Sequence, residues 1–142
     1  MRDLAGGIDK KFKAFLRQEN GSSSIEFVLW VPLVLAILLL IVDASMLFMS
    51  RTHAIRVLQD TNRLYSVGQF TGTPTERITA AQAYALARLQ GLSPSATATT
   101  TETNRVVRTR ATLETAEIAQ IGFLGLMIDT TMVVAAEHRV EF

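Results

Sequence analysis

The hydrophobic pattern changes character several times along the chain. Residues 1–21 are mostly polar, with scattered apolar positions. From Phe27 to Val42 the sequence reads FVLWVPLVLAILLLIV, sixteen residues without a charge. With Ser22–Ile25 before it and Ala44–Met49 after it, this run exceeds 20 residues. About 20 residues, rising about 1.5 Å each, cross a hydrocarbon core of about 30 Å. A membrane-spanning helix is therefore predicted over 22–49. Only Glu26 and Asp43 interrupt it, one near each end. Asp43 is expected at the far interface, where a carboxylate costs little. Trp30 reads as an interfacial anchor. Pro32 removes one helix hydrogen bond and is expected to kink the span, or to be tolerated there.

Beyond the span the pattern becomes amphipathic. Ala54, Val57, Leu58, Leu64 and Tyr65 recur at helical spacing, with Arg56, Gln59, Asp60 and Arg63 on the other side. This predicts a stem that continues the anchor over 50–70, ended by Gly68 and the TGTP stretch at 71–74. A second helix should follow. Thr73 and Glu76 have capping-box spacing around Pro74, the first helical position. Ile78, Ala81, Ala85, Leu86 and Leu89 form its apolar stripe, and Gly91 is expected to close it.

The last third alternates with period two. Val107, Thr109, Ala111 and Leu113 alternate with Arg108, Arg110 and Thr112, the mark of a half-buried strand. Met132, Val134, Ala136, His138, Val140 and Phe142 alternate with Glu137, Arg139 and Glu141. The threonine-rich SPSATATTTETN before the first of these has strand or linker character. Asn104 and its neighbours could turn a hairpin, although no Asn-Gly pair is present. The segment 118–128, IAQIGFLGLMI, is too short to span a membrane and reads as a buried connection, a short helix or a docking patch. The fold class is thus α+β: a long N-terminal transmembrane and stem helix, a second amphipathic helix and a small antiparallel sheet. Residues 71–142 would form the extracytoplasmic head.

Composition narrows the chemistry. The chain has 142 residues and no cysteine, so disulfides, thiolate metal sites and cysteine nucleophiles are excluded. The two histidines, His53 and His138, have no second histidine at ligand spacing, so no metal or other cofactor is expected. His138 reads as a hydrogen-bonded residue at a sheet edge. No phosphate-binding glycine loop and no nucleophile–base–acid set is visible, and no enzymatic activity is expected. Net charge is +1, which gives no basic footprint for nucleic acid. Arg105, Arg108 and Arg110 read as a solvated strand face or as a contact for an acidic partner or lipid head groups.

The charges are unevenly placed. All three lysines, Lys10, Lys11 and Lys13, precede Gly21 together with Arg2 and Arg17, against Asp3, Asp9 and Glu19. A short basic head before a long apolar run puts the N-terminus in the cytoplasm and the head outside. An ordinary secretory signal fits poorly, because its apolar core is about 7–15 residues and ends at a small-x-small site. Val42-Asp43-Ala44 is a weak match to such a site.

The residues around Gly21 read RQENG-SSSIEF. A glycine ends the basic leader, and Glu26 follows five positions later at the entry to the apolar helix, with Phe27 next. This resembles the prepilin peptidase site of type IV pilins. With small residues before Glu-Phe and Pro32 in the run, it is similar to the TadE-like pseudopilins, minor pilins of tight-adherence (Tad/Flp) pilus systems. The resemblance covers about residues 18–49. It implies cleavage between Gly21 and Ser22, which removes a leader of residues 1–21. It also implies that Glu26 is neutralised by the freed amine of a neighbouring subunit. Ser22, rather than an aromatic, as first mature residue departs from the major pilins and favours a minor role.

Glycine before the cut fits a protease cleft because no side chain obstructs close approach. A carboxylate in an apolar helix is costly unless paired, so Glu26 could signal register during assembly. Its other reading is an acid stabilised at a helix N-terminus. The implied partners are the membrane, a prepilin peptidase, other pilins or pseudopilins and the pilus assembly platform. The implied place is the bacterial inner membrane, single-pass, with possible entry into the pilus. The alternative is an uncut single-pass membrane protein whose outer domain binds a ligand or partner.

Overall fold

A computed structural model describes residues 20–119 and 130–141. Residues 1–19 of the expected leader, positions 120–128 of the apolar segment and Phe142 lie outside the described residues. The elements run in the order α1 (Asn20–Ser66), α2 (Pro74–Leu89), β1 (Thr97–Thr103), β2 (Val106–Glu114), α3 (Thr115–Ile118) and β3 (Thr131–Arg139). This is the α+β arrangement expected from the sequence. The expected span and stem belong to one 47-residue helix.

The chain divides into two compact units, residues 1–38 and 39–142. What is described of the first is the beginning of α1. The second contains the remainder of α1 and everything after it.

The sheet is an antiparallel meander in the order β1-β2-β3. Thr103 pairs with Val106, so β1 and β2 are joined by the two residues Asn104 and Arg105. Both have positive φ, 54° and 62°. Two left-handed residues make the type I′ loop, whose twist matches that of the flanking strands. Asn104 takes this conformation readily, and the short loop holds Arg105 there too. Glu114 pairs with Thr131 at the other end of β2.

One face of the sheet is covered. Val107, Thr109, Ala111 and Leu113 are buried along β2, as the alternation predicts, with Ala98 and Thr100 on β1 and Val134 and Ala136 on β3. Ala54, Val57 and Leu58 from α1, with Ala85 and Leu89 from α2, complete that core. Many of these contacts are alanine, which leaves room for close approach of the helices to the strands. A second cluster joins Tyr65, Ala81, Val107 and Val140, with Phe70 and Ile78 against it. His138 keeps the phase of the buried row but is exposed near the end of edge strand β3.

The helix ends follow local chemistry. Gly68, at φ 75°, closes α1: its N–H donates to the Tyr65 carbonyl, and the Gln69 N–H donates to Leu64. This pair of bonds is the Schellman pattern. At the start of α2 the Thr73 N–H donates to Glu76 Oε2 at 2.7 Å and the Glu76 N–H donates to Thr73 Oγ1 at 3.4 Å. The capping box is therefore reciprocal, as its spacing predicts. The end of α2 falls just before Gly91, as expected. Gly91 is not left-handed; the Leu92 and Ser93 amides instead donate to the Leu89 carbonyl in a tight right-handed turn.

Candidate functional site

The segment singled out by the sequence lies at the start of α1. Gly21 and Ser22 are helical, at the beginning of the described part of α1. Ser22 and Glu26 are four residues apart, about one turn or 6 Å of rise, and so share a face of the helix.

Glu26, Phe27 and Pro32 are all exposed. So are Val28, Leu29 and Trp30, and four consecutive residues cover most of a helix circumference. Apolar side chains therefore point outward on every side, with none buried inside the molecule over the apolar window. A helix that is hydrophobic all round is stable when lipid or other apolar helices surround it. α1 is long and apolar enough to cross a membrane, which fits a single-pass membrane protein. Glu26 is the one charge in this stretch between Ile25 and Val42. Pro32 lies inside the helix and leaves the Val28 carbonyl without its usual i+4 donor.

The character of α1 changes after Leu38. Asp43, expected at an open interface, is fully buried. The reason is that the second unit begins at Leu39 and packs around the helix, so one face is already covered there. On the other face Ile41, Val42, Phe48 and Met49 stay exposed. Ser45 and Thr52 turn their hydroxyls back onto the carbonyls of Ile41 and Phe48, so neither presents a free polar group on that face.

Further along, α1 is fixed to the sheet by polar groups that pattern reading does not mark. Asn62 Nδ2 donates to the Ala136 carbonyl on β3 at 2.7 Å. Thr109 Oγ1 on β2 donates to Asn62 Oδ1 at 2.6 Å and lies 3.1 Å from Thr100 Oγ1 on β1. Thr109 has one hydroxyl proton and spends it on Asn62, so Thr100 is the donor in the last bond. One helix residue thus touches a network that reaches all three strands. The signal in the sequence is spacing: residues 54, 58 and 62 are successive i+4 positions on one face.

Two acid-containing clusters stiffen the rest. Tyr65 donates its hydroxyl to Glu102 Oε2, and Arg77 lies over the Tyr65 ring at 5.6 Å. Burial, reinforced by the Glu102 carboxylate, pushes the Tyr65 phenol up to about 12. Glu117 accepts from the Ser93 hydroxyl and from the Ser95 N–H, while Ser93 Oγ accepts from the Glu114 N–H. The bonds to Ser93 and Ser95 hold the Glu117 carboxyl below its ordinary range. Among the described residues no three of His, Cys, Asp or Glu gather to hold a metal ion. Arg108 pairs with Glu137 at 2.8 Å on the open face of the sheet, both about half exposed, an arrangement of little energetic weight.

A family model described as TadE-like protein matches residues 21–63. The match runs from Gly21 through Glu26, Phe27, Pro32 and Asp43 to Asn62 and Arg63, and leaves α2 and the sheet outside it. No curated protein and no solved structure matches the chain.

Proposed function

We propose, from the TadE-like segment at residues 21–63, that the chain is a membrane-anchored pseudopilin of a Tad/Flp-type pilus assembly system. In this reading a prepilin peptidase cuts between Gly21 and Ser22 and leaves a mature chain that begins at Ser22. The N-terminus of the precursor lies in the cytoplasm and the head faces outward from the inner membrane. The role is structural rather than enzymatic. The mature helix packs among other pilin-type helices at the assembly platform.

The observation that carries this reading is the helix from Ile25 onward, exposed on all sides and uncharged from Phe27 to Val42 behind a single acid. Such a surface is suited to exchange lipid neighbours for helix neighbours, because both are apolar. Glu26 then distinguishes the two environments. In lipid it is an unpaired carboxylate; beside the amine of a neighbouring Ser22 it is neutralised. Cleavage needs the helix at Gly21 to open locally, and a glycine there can extend into the protease without an obstructing side chain.

The test is the N-terminus of the protein made with and without the peptidase. A product beginning at Ser22 only when the peptidase is active supports the reading, and Gly21→Ala should block its formation. A chain that keeps residues 1–21 in cells with active peptidase would instead be an uncut single-pass anchor.

A further inference from the structure

We propose that the groove between α1 and the C-terminal end of α2 holds the phosphate headgroup of an anionic phospholipid. The proposal rests on the membrane reading of α1. The groove has a volume of about 570 Å³, and its lining includes Met49, His53, Arg56, Val57, Asp60 and Arg88. Met49 and Val57 supply apolar wall, and His53, Arg56 and Arg88 supply nitrogen donors. The single acid, Asp60, is already engaged: its Oδ2 accepts from the Tyr84 hydroxyl at 3.0 Å. The Arg88 guanidinium lies over the Tyr84 ring at 4.3 Å and also donates a hydrogen bond to the Tyr84 hydroxyl, which orients it while its other N–H donors can face the groove. Two arginines against one acid give the groove an excess of positive charge.

Position selects a lipid over a free anion. Within the second unit, the exposed apolar residues Ile41, Val42, Phe48 and Met49 mark the end of α1 that meets hydrocarbon. From Met49, His53 lies about 6 Å and Arg56 about 10 Å further along the helix axis, at about 1.5 Å per residue. The headgroup layer on one side of a bilayer is about 5–8 Å thick. Arginine reaches back toward it on a long flexible stem. A headgroup in the groove would meet Arg56 and Arg88, with its glycerol end on Met49. The groove would then fix how the outer domain stands on the membrane.

The full chain can be titrated in detergent with phosphatidylglycerol or with phosphatidylcholine, and retained lipid counted by native mass spectrometry. Phosphatidylglycerol should be retained more tightly. Each arginine near an anionic surface contributes about fivefold, so Arg56→Ala with Arg88→Ala should weaken that retention about thirtyfold. The charge-keeping pair Arg56→Lys with Arg88→Lys should retain most of it, which separates lost charge from lost fold. Arg110→Ala, on the open face of the sheet, should change nothing. Equal retention of the two lipids would overturn the proposal, as would unaltered retention by the alanine pair. Displacement of phosphatidylglycerol by inorganic phosphate at equal concentration would overturn the lipid assignment. Insertion into vesicles of phosphatidylcholine alone is scored separately. Failure there removes the membrane reading, whereas insertion without lipid preference removes only the headgroup site.

Discussion

Asn62 Oδ1 on α1 accepts a hydrogen bond from Thr109 Oγ1 on β2 at 2.6 Å, and both side chains are fully buried. Together with the bond from Asn62 Nδ2 to the Ala136 carbonyl, it locks the helix to one position along the sheet. A helix held only by apolar contacts with small residues could slide by a turn at modest cost. A buried amide cannot, because a shift leaves both its partners unsatisfied.

Asn62→Leu should therefore destabilise the second unit by at least about 1–3 kcal/mol, the usual cost of an orphaned buried polar group, since both the Ala136 carbonyl and the Thr109 hydroxyl lose Asn62. Thr109→Val in the same chain should recover part of that loss, because it removes the hydroxyl that the leucine leaves without an acceptor. Chemical denaturation of the full chain in detergent, followed by near-ultraviolet circular dichroism, measures both. Equal stability of wild type and Asn62→Leu would remove the network as a structural constraint.

Gly72 precedes the capping box with φ at 112°, where a side chain is rarely accommodated. A Cβ built there would lie 2.5 Å from Glu76 Oε2, the oxygen that accepts from the Thr73 N–H. Gly72→Ala should thus combine backbone strain with a damaged cap and cost about 1–3 kcal/mol. Thr73→Ala, which removes the other half of the box, should cost about 0.5–2 kcal/mol. Thermal midpoints of the two variants give the comparison, with Gly72→Ala the lower.

Tyr65 should make the second unit sensitive to alkali. Its phenol ionises at about 12 in the folded chain against 10.0 for the unperturbed group, so folding favours the protonated form. The stabilisation is fully present below pH 10 and is lost as pH rises from about 10 to about 12. Tyr65→Phe removes this titration. Its unfolding midpoint should fall less than that of wild type over the same interval, although it starts lower because Glu102 loses its donor. Parallel pH profiles of the two proteins would show that Tyr65 does not carry the effect.

If the proposed pseudopilin function holds, Glu26→Leu should uncouple insertion from assembly. Replacing a carboxylate by leucine makes the helix cheaper to place in lipid, so insertion should be retained. Cleavage at Gly21 should be largely retained as well, because the glycine is untouched. Pilus number should drop. Electron microscopy of cells carrying only the variant, with the N-terminus of the protein determined in parallel, reads out both steps. Normal pili would free Glu26 from the assembly role.

Sequence alone was enough for those features that depend on neighbours along the chain. The apolar run from Phe27 to Val42 declares itself by length and by lack of charge, the capping box at Thr73 and Glu76 by spacing, and β2 by strict alternation from Val107 to Leu113. Each follows from local stereochemistry or from a single buried face, which no distant residue need supply. The TadE-like match over residues 21–63 likewise rests on a continuous stretch.

Tertiary structure decided what depends on residues far apart. Asp43 looks interfacial from its place in the run, yet it is buried because the second unit, which begins at Leu39, covers that face of α1. Asn62 looks like one more polar residue on an amphipathic helix, yet its partners lie 47 and 74 positions away on two strands. Gly91 marks the end of α2 in the sequence, yet how the chain leaves the helix, through Leu92 and Ser93 amides on the Leu89 carbonyl, is seen only in the structure. A polar side chain carries no local mark of whether water or a distant hydrogen bond satisfies it. Only the packing of α1 on the sheet answers that, since burial removes the water and leaves the partner to be supplied by the fold.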